Sequence, residues 1–394
     1  MDIVTGLNYV IVFFSVYVTV FFLLLYLRYR NEYYNQPSET NWSPKVSVII
    51  PAYNEEKYLA DCLKTVLELD YPKEQLEIIV VDDGSTDKTA ELAKGFEKQG
   101  VTVYTKKNGG KGSSLNFGIA KASGEIIATM DADSYLTKDV VKKLLPLFNE
   151  PDVMAVTPAV KIRPSGNLIK ETQRVEYLMI LFSRRLLSFI DSVPVTPGPF
   201  SMFRKEIFAK IGGFSEDNLV EDQEIALRMQ ANHFKIRSSV IADVYTEPPE
   251  TFRELMTQRV RWQRGGLRNY WDYRWLMHPK YGDFGMYFVP LNFATITAFF
   301  VVLGLMIYTT IFSTYYVKYV WLETVGLGFS FFSLLWILVA LATTAFVYIA
   351  VRSFKDEKVK LRYVLSFVVI YWYLMLCYNV LTIWKELRKE EKKW

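Results

Sequence analysis

One uncharged run, Leu7 to Leu27 ("LNYVIVFFSVYVTVFFLLLYL"), limits what this chain can fold into more than any other feature. As a helix rising about 1.5 Å per residue, it can cross about 30 Å of hydrocarbon. It is too long for a signal-peptide core, and it lacks a basic start and a small-residue cleavage site. Similar runs occur at roughly Met286 to Ser313, Gly328 to Val351 and Leu361 to Trp384. Four spans are therefore expected. They explain how 51% hydrophobic residues coexist with 22% charged ones. Such a mixture implies a soluble part joined to a membrane part.

Basic residues set orientation across a bilayer. Arg28 and Arg30 follow the first run and Asp2 precedes it, which puts the long middle segment in the cytoplasm. Segment 352–362 ("RSFKDEKVKLR") has a basic excess and fits inside, while 314–327 fits outside. The tail "KELRKEEKKW" is the misfit. Four spans place it outside although basic residues outnumber acidic ones, so its side stays open. The whole chain has 46 Lys and Arg against 42 Asp and Glu, net +4. That is too mild to argue for nucleic acid. Two cysteines, Cys62 and Cys377, give no disulfide framework, and two histidines, His233 and His278, exclude a multi-histidine zinc site.

The middle segment alternates. "KVSVIIP", "LEIIVVDD", "VTVYT" and "EIIATMDAD" read as buried strands. "EEKYLADCLKTVLEL" places Leu59, Leu63, Val66 and Leu67 at helical spacing. "STDKTAELAKGFEKQG" opens on a capping residue and closes on glycine, and "KGSSLNFGIAKASG" reads as a further helix. This order predicts an α/β, Rossmann-like domain with a largely parallel sheet. Ligands of such sheets bind beyond the carboxyl ends of the strands. Three strand ends here carry polar clusters, "PAYNEE", "DDGSTD" and "DADS", which should open into one crevice.

Taken singly, the clusters are ambiguous. Asp131 and Asp133 would point apart on an extended strand, whereas a turn can bring both near one ion. Their carboxylates suit Mg2+ or Mn2+ shared with phosphates. A capping turn looks the same. An EF-hand is excluded, because Leu136 stands where its loop needs glycine. "NGGKGSS" is not a phosphate loop: the first glycine would fall at Thr105, and Gly112 follows the lysine. Lys111, at a helix start, could still meet a phosphate. "LVEDQEIALRMQ" reads as a helix with Ile225 and Met229 inward and Asp222 in its first turn, where the helix dipole favours a carboxylate.

In order, "VSVIIPAYNEE", "IIVVDDGSTD", "NGGKGSSLNFGI", "MDADS", "GGFSEDNLVEDQEIALRM" and "QRVRW" resemble the family-2 glycosyltransferases of GT-A fold. The likeness is greatest to the membrane-integral processive synthases of cellulose, chitin, hyaluronan and poly-N-acetylglucosamine. It covers roughly residues 44–275. The Q-x-x-R-W element, Gln258 to Trp262, is its most discriminating part. Val220 replaces the threonine of the T-E-D form, which leaves the subgroup open.

The resemblance implies a transmembrane helix over 1–30, a cytosolic GT-A domain over 44–280 and an α-helical transmembrane region over 284–394. The protein would be a multi-pass protein of the cell membrane. The implied reaction is inverting, metal-dependent transfer from a nucleotide sugar, a UDP-sugar by preference, to a growing glycan that passes through the spans. Pro51, Tyr53, Glu55, Asp83, Lys111 and Asp131 would meet the donor. Asp131 and Asp133 would hold Mn2+ or Mg2+, with Asp133 the direct ligand and Asp131 either a ligand or a donor contact. Asp222 would be the general base, with Glu221 the competing candidate. Arg261 would fork onto the diphosphate, and Gln258 and Trp262 would carry the acceptor. Stretch 177–190, with paired arginines, would be a membrane-surface or a core helix. Segment 196–208 would line the acceptor cavity, with close backbone approach from Gly198 to Ser201. Expected partners are the donor, a glycan or lipid acceptor, and the bilayer. Two other readings remain: single-sugar transfer to a polyprenyl phosphate or other lipid, and a membrane sensor of sugar nucleotides without catalysis.

Overall fold

The structure, a computed structural model, describes residues 3–37, 40–312 and 331–388. Eight strands form one sheet: β1 (Val46–Ala52), β2 (Leu76–Asp82), β3 (Val101–Thr105), β4 (Ile126–Thr129), β5 (Ser134–Leu136), β6 (Val153–Ile162), β7 (Ser201–Arg204) and β8 (Lys235–Thr246). Their order is β3-β2-β1-β4-β7-β6-β8-β5. The first four strands are parallel, as the alternation of strand and helix predicts. Strand β7 runs antiparallel to both β4 and β6, β6 and β8 are parallel, and β5 runs antiparallel to β8.

Strand β1 shows why its run is continuously apolar. Val46, Val48 and Ile50 pack into one core with Leu59, Leu63 and Val66 of the helix Leu59–Leu67. Ile49 points the other way, into a second core with Leu115, Ile225 and Met229. A strand covered on both faces needs apolar residues at every position. Each such side chain contributes about 1.5–3 kcal/mol by burial. The inward placement of Ile225 and Met229 on the helix Glu221–Ala231 follows the sequence expectation.

One local expectation is corrected and one open alternative is decided. The helix expected across 85–100 is broken into Thr89–Lys94 and a short turn at Glu97–Gln99, with Gly100 left-handed at φ 92°. Ser85 does not cap it and ties strand ends instead, whereas Asp87 does both: its Oδ1 accepts from Thr89 N, the first residue of the helix, at 2.9 Å. Ser85 Oγ accepts from Asn54 N at 3.0 Å, and Asp87 Oδ2 accepts from Glu56 N at 3.2 Å. The 177–190 stretch is part of the longer helix Leu168–Ser188. Its arginines are buried, so it is not a surface helix. Arg184 donates to Pro158 O at 2.8 Å and Arg185 to Ser238 O at 2.9 Å. Burial pushes both guanidinium groups down to about 10. Val175, Leu178 and Phe182 of this helix pack with Val347, Val351 and Val364, joining the sheet domain to the apolar helices.

Long apolar helices occupy Ile3–Tyr29, Val289–Phe312, Phe331–Arg352 and Leu361–Leu387. Among the described residues, Tyr9–Tyr29, Phe284–Val301 and Leu361–Leu387 are long and apolar enough to cross a membrane, while Ile337–Arg352 is shorter. The expected outer loop 314–327 lies outside the described residues, as does the tail beyond 388. The turn between the last two helices sits on the sheet domain: Glu357 accepts from Arg174 Nε at 3.1 Å, and Lys161 lies 3.7 Å from Glu357.

Candidate active site

The parallel order brings the tips of β2, β1 and β4 side by side, so "DDGSTD", "PAYNEE" and "DADS" do converge. Backbone donors and short side chains knit the tips together. Glu55 N donates to Thr89 Oγ1 at 2.7 Å, and Thr86 N donates to Asn54 Oδ1 at 2.8 Å. Asp83 is buried and accepts from Gly109 N at 3.0 Å, Gly110 N at 2.8 Å and the Lys106 ammonium. It thereby fixes the loop that delivers Lys111. Its Oδ2 keeps a lone pair for another donor. Tyr53 is exposed at the same edge, and Pro51 and Glu55 are half-buried.

Asp131 and Asp133 lie in the turn between β4 and β5. Lys111 begins the helix Lys111–Lys121, and its Nζ lies 2.6 Å from Asp131 Oδ1 and 3.0 Å from Glu221 Oε1. One ammonium thus joins the "DADS" turn to the "VED" helix start. Burial, then attraction from Asp131 and Glu221 that outweighs it, leaves Lys111 firmly charged. Gly198 closes the crevice from the side. A Cβ there would sit 2.6 Å from both Asp131 Oδ2 and Lys111 Nζ. Of the segment Gly198 to Ser201, where close approach is expected, Gly198 shows it, and a side chain there would displace the Asp131 carboxylate and the Lys111 ammonium.

Asp222 lies in the first turn of its helix. Thr196 holds its backbone, donating to Asp222 O through N at 3.1 Å and through Oγ1 at 2.9 Å. The Asp222 carboxyl is pushed up to about 6 by burial and then by Glu221, with Lys111 and Arg261 opposing. Glu221, by contrast, is engaged with Lys111. Arg261 donates to Leu219 O at 3.0 Å, just ahead of that helix. The "QRVRW" element lies on the helix Phe252–Asp272, which opens with a capping box between Thr251 and Glu254. Gly265 of this helix packs on Val220, where an added Cβ would approach Val220 Cγ2 to 2.5 Å. Gln258 and Trp262 are four residues apart and share one face.

The donor set suits a hard divalent cation. Glu55 and Asp133 are each pushed up to about 7, by burial and then by neighbouring carboxylates, chiefly Asp133 on Glu55 and Asp131 on Asp133. Crowded carboxylates that resist ionisation are relieved by a bound cation. Among the described residues, no three His, Cys, Asp or Glu side chains lie close enough to hold a metal alone. A cation here would therefore complete its coordination with phosphate oxygens and water, as Mg2+ and Mn2+ do.

Comparisons with known proteins agree with this geometry. Residues 47–212 match the family described as glycosyl transferase family 2. The likeness to that family is carried by these residues. It is 29% identical over 276 residues to a poly-beta-1,6-N-acetyl-D-glucosamine synthase of Staphylococcus epidermidis, covering 66% of each chain. It is 34% identical over 233 residues to the probable glycosyltransferase YdaM of Bacillus subtilis, covering 56% of this chain and 55% of that one. The match thus spans just over half to about two thirds of these relatives. A mannosyltransferase from Pyrobaculum calidifontis, solved with GDP-Man and Mn2+, superposes with a TM-score of 0.64 at 19% identity. It covers 89% of this chain and 100% of that chain, which establishes the shared GT-A fold.

The ordered motifs mark most of this site. They do not mark Glu221 as the partner of Lys111, nor Thr196 as the clamp on Asp222. Both depend on the β7 side folding back against the first half-sheet, for which no local sequence signal exists.

Proposed function

We propose that this protein is an inverting glycosyltransferase that extends a polysaccharide at the membrane from a UDP-sugar. The observation that carries the reading is Lys111 touching both Asp131 and Glu221, with Asp222 beside them. This is a phosphate-seeking cation, an acidic metal-suited turn and a carboxyl poised near 6, all in one crevice. The acceptor hydroxyl gives its proton to the Asp222 carboxylate as its oxygen attacks the anomeric carbon. The bond from that carbon to the diphosphate oxygen breaks, and configuration inverts. A base must lie within hydrogen-bond reach of the hydroxyl, and Thr196 fixes Asp222 for that task. Asp131 and Asp133 would hold a divalent cation, which when bound offsets charge on the departing diphosphate. Lys111 and Arg261 supply further positive charge. Pro51, Tyr53, Glu55 and Asp83 bound the nucleotide. Gln258 and Trp262 present an amide and an aromatic face to the acceptor sugar.

Passage of the glycan through the spans draws support from a cavity of about 620 Å³ between the apolar helices. Gln263, next to Trp262, lies on its wall with Ser15, Thr295, Thr343 and Asn379. The docked turn at Glu357 and the basic residues after the first helix support a multi-pass protein with its catalytic domain in the cytoplasm. The remaining cavity lining is largely apolar, with Ile11, Phe14, Val18, Phe299 and Leu376. That feature favours a second reading, in which one sugar is passed to a polyprenyl phosphate or other lipid. Purified protein incubated with labelled UDP-sugars and Mn2+ separates the two. A growing water-soluble polymer is expected. A product that stops at one sugar and extracts into organic solvent overturns processive synthesis.

A further inference from the structure

Arg259 lies inside the Q-R-V-R-W element, yet it is buried. Its Nη2 lies 2.6 Å from Glu176 Oε2, and both side chains are under a tenth exposed. The other carboxylate oxygen of Glu176 accepts from the Tyr371 hydroxyl at 3.3 Å, on the last apolar helix. The Arg259 guanidinium is also occupied on its outer side. Its Nη1 donates to Gln258 Oε1 at 2.6 Å, and its centre stands 4.3 Å from the Trp262 ring centroid. Thus one buried cation contacts both residues assigned to the acceptor, while a carboxylate from a different helix fixes that cation. Tyr177, next to Glu176, adjoins the acidic turn: burial raises its hydroxyl to about 12, opposed by Arg259 and reinforced by Glu176, Asp133 and Asp131.

We propose that Arg259 and Glu176 are positioning residues that orient Gln258 and Trp262 for the acceptor sugar and link that platform to the last membrane helix through Tyr371. The role rests on the glycosyl-transfer reading, but the geometry does not. A guanidinium that both donates to a carboxylate and covers an indole restricts the rotamers of each neighbour. A pair kept only for stability would be replaceable as a unit, because exchanging both members of a buried ion pair for apolar side chains of similar volume is often neutral for folding. A positioning pair is not replaceable in that way, since an apolar side chain cannot donate to Gln258 Oε1 while covering the indole.

The test uses the full chain in detergent, labelled with 5-fluorotryptophan. Nine tryptophans give nine fluorine lines, and Trp262→Phe assigns one of them. Glu176→Gln should move the Trp262 line and leave lines from distant indoles in place. With labelled UDP-N-acetylglucosamine and an N-acetylglucosamine oligomer, acceptor KM should rise about tenfold or more while donor KM stays within about twofold. The double variant Glu176→Leu/Arg259→Met should regain the thermal midpoint but not the acceptor KM. It also serves if the single variant fails to fold. An unmoved Trp262 line in both variants overturns the proposal, as does an acceptor KM that recovers in the double variant. If the wild-type protein transfers sugar from no donor, the functional reading fails instead, and the fluorine result still decides the positioning claim.

Discussion

Around the tips of β1, β2 and β4, residues are placed by backbone. Parallel pairing sets Ala52 opposite Asp82, and backbone N–H groups of Glu55, Gly109 and Gly110 are tied to neighbouring side chains. Around the helix Phe252–Asp272, placement comes from charged side chains that reach out to other elements: Arg259 to Glu176, Arg261 to Leu219 O and Arg264 to Glu386. Many cooperative bonds share the load in the first region, so a change to a side chain that holds no loop there removes chemistry and leaves position intact. In the second region a few side-chain contacts hold the orientation, so a remote change can act at the site.

The largest effect expected is at Asp222, which, like the strand tips, is held through its backbone. Asp222→Asn should lower kcat by about 10²–10⁴-fold, the range for a lost general base. UDP binding, measured by calorimetry, should stay within about twofold. A rate within about tenfold of wild type would assign the base elsewhere. Chelation of divalent cations should bring transfer to background, with recovery on adding Mn2+ or Mg2+. Asp133→Asn should raise the Mn2+ needed for half-maximal rate by at least about tenfold, since even outer partners of a metal cost that much. Transfer that persists in a chelator would remove the metal from the mechanism.

Two glycines sharpen the contrast on a smaller scale. Gly198→Ala places a methyl 2.6 Å from the movable ends of Asp131 and Lys111. Stability should change by under about 1 kcal/mol, while kcat should fall about tenfold or more through misplaced charge. Gly118→Ala places its methyl 2.4 Å from Ile49 Cγ2, inside the core. Overpacking there should cost about 1–3 kcal/mol of stability and leave kcat per folded molecule unchanged. Equal loss of kcat in both variants would erase the distinction between site and scaffold.

The same division explains what could be read from the sequence. The apolar runs of β1 to β4 and the clusters after them are local signals, so the fold class, Asp131, Asp133 and the converging crevice were legible. Strands β5 to β8 were not, because β6 carries a proline at a register shift and β5 and β7 are only three and four residues long. The paired arginines Arg184 and Arg185 left a surface and a core helix equally open, and Arg259 and Glu176 carried no local signal of burial. Their burial depends on carbonyls and partners supplied from 26 to 83 residues away in the chain. The third apolar run is helical over Phe331–Arg352, the part of it that is described.

Asp222 allows a subtler test, because its effects on rate and stability have opposite signs. Its carboxyl is raised to about 6, from an ordinary value near 4, by burial and by Glu221. The base works as a carboxylate, so the rate should fall as pH drops through about 6, by roughly tenfold between pH 7 and pH 5. Stability runs the other way. The folded protein holds this proton more tightly than the unfolded chain does, so ionising Asp222 costs stability, and the cost is fully present above the folded value. A tenfold difference in proton affinity is worth about 1.4 kcal/mol, so the penalty at neutral pH is about 1–3 kcal/mol. It disappears as pH falls through the raised value towards the ordinary one. Asp222→Asn should therefore raise the thermal midpoint of the ligand-free protein at pH 8 and leave it nearly unchanged at pH 4, while silencing transfer at both. A variant less stable than wild type at pH 8 would mean that the carboxylate's attraction to Lys111 and Arg261 outweighs its burial.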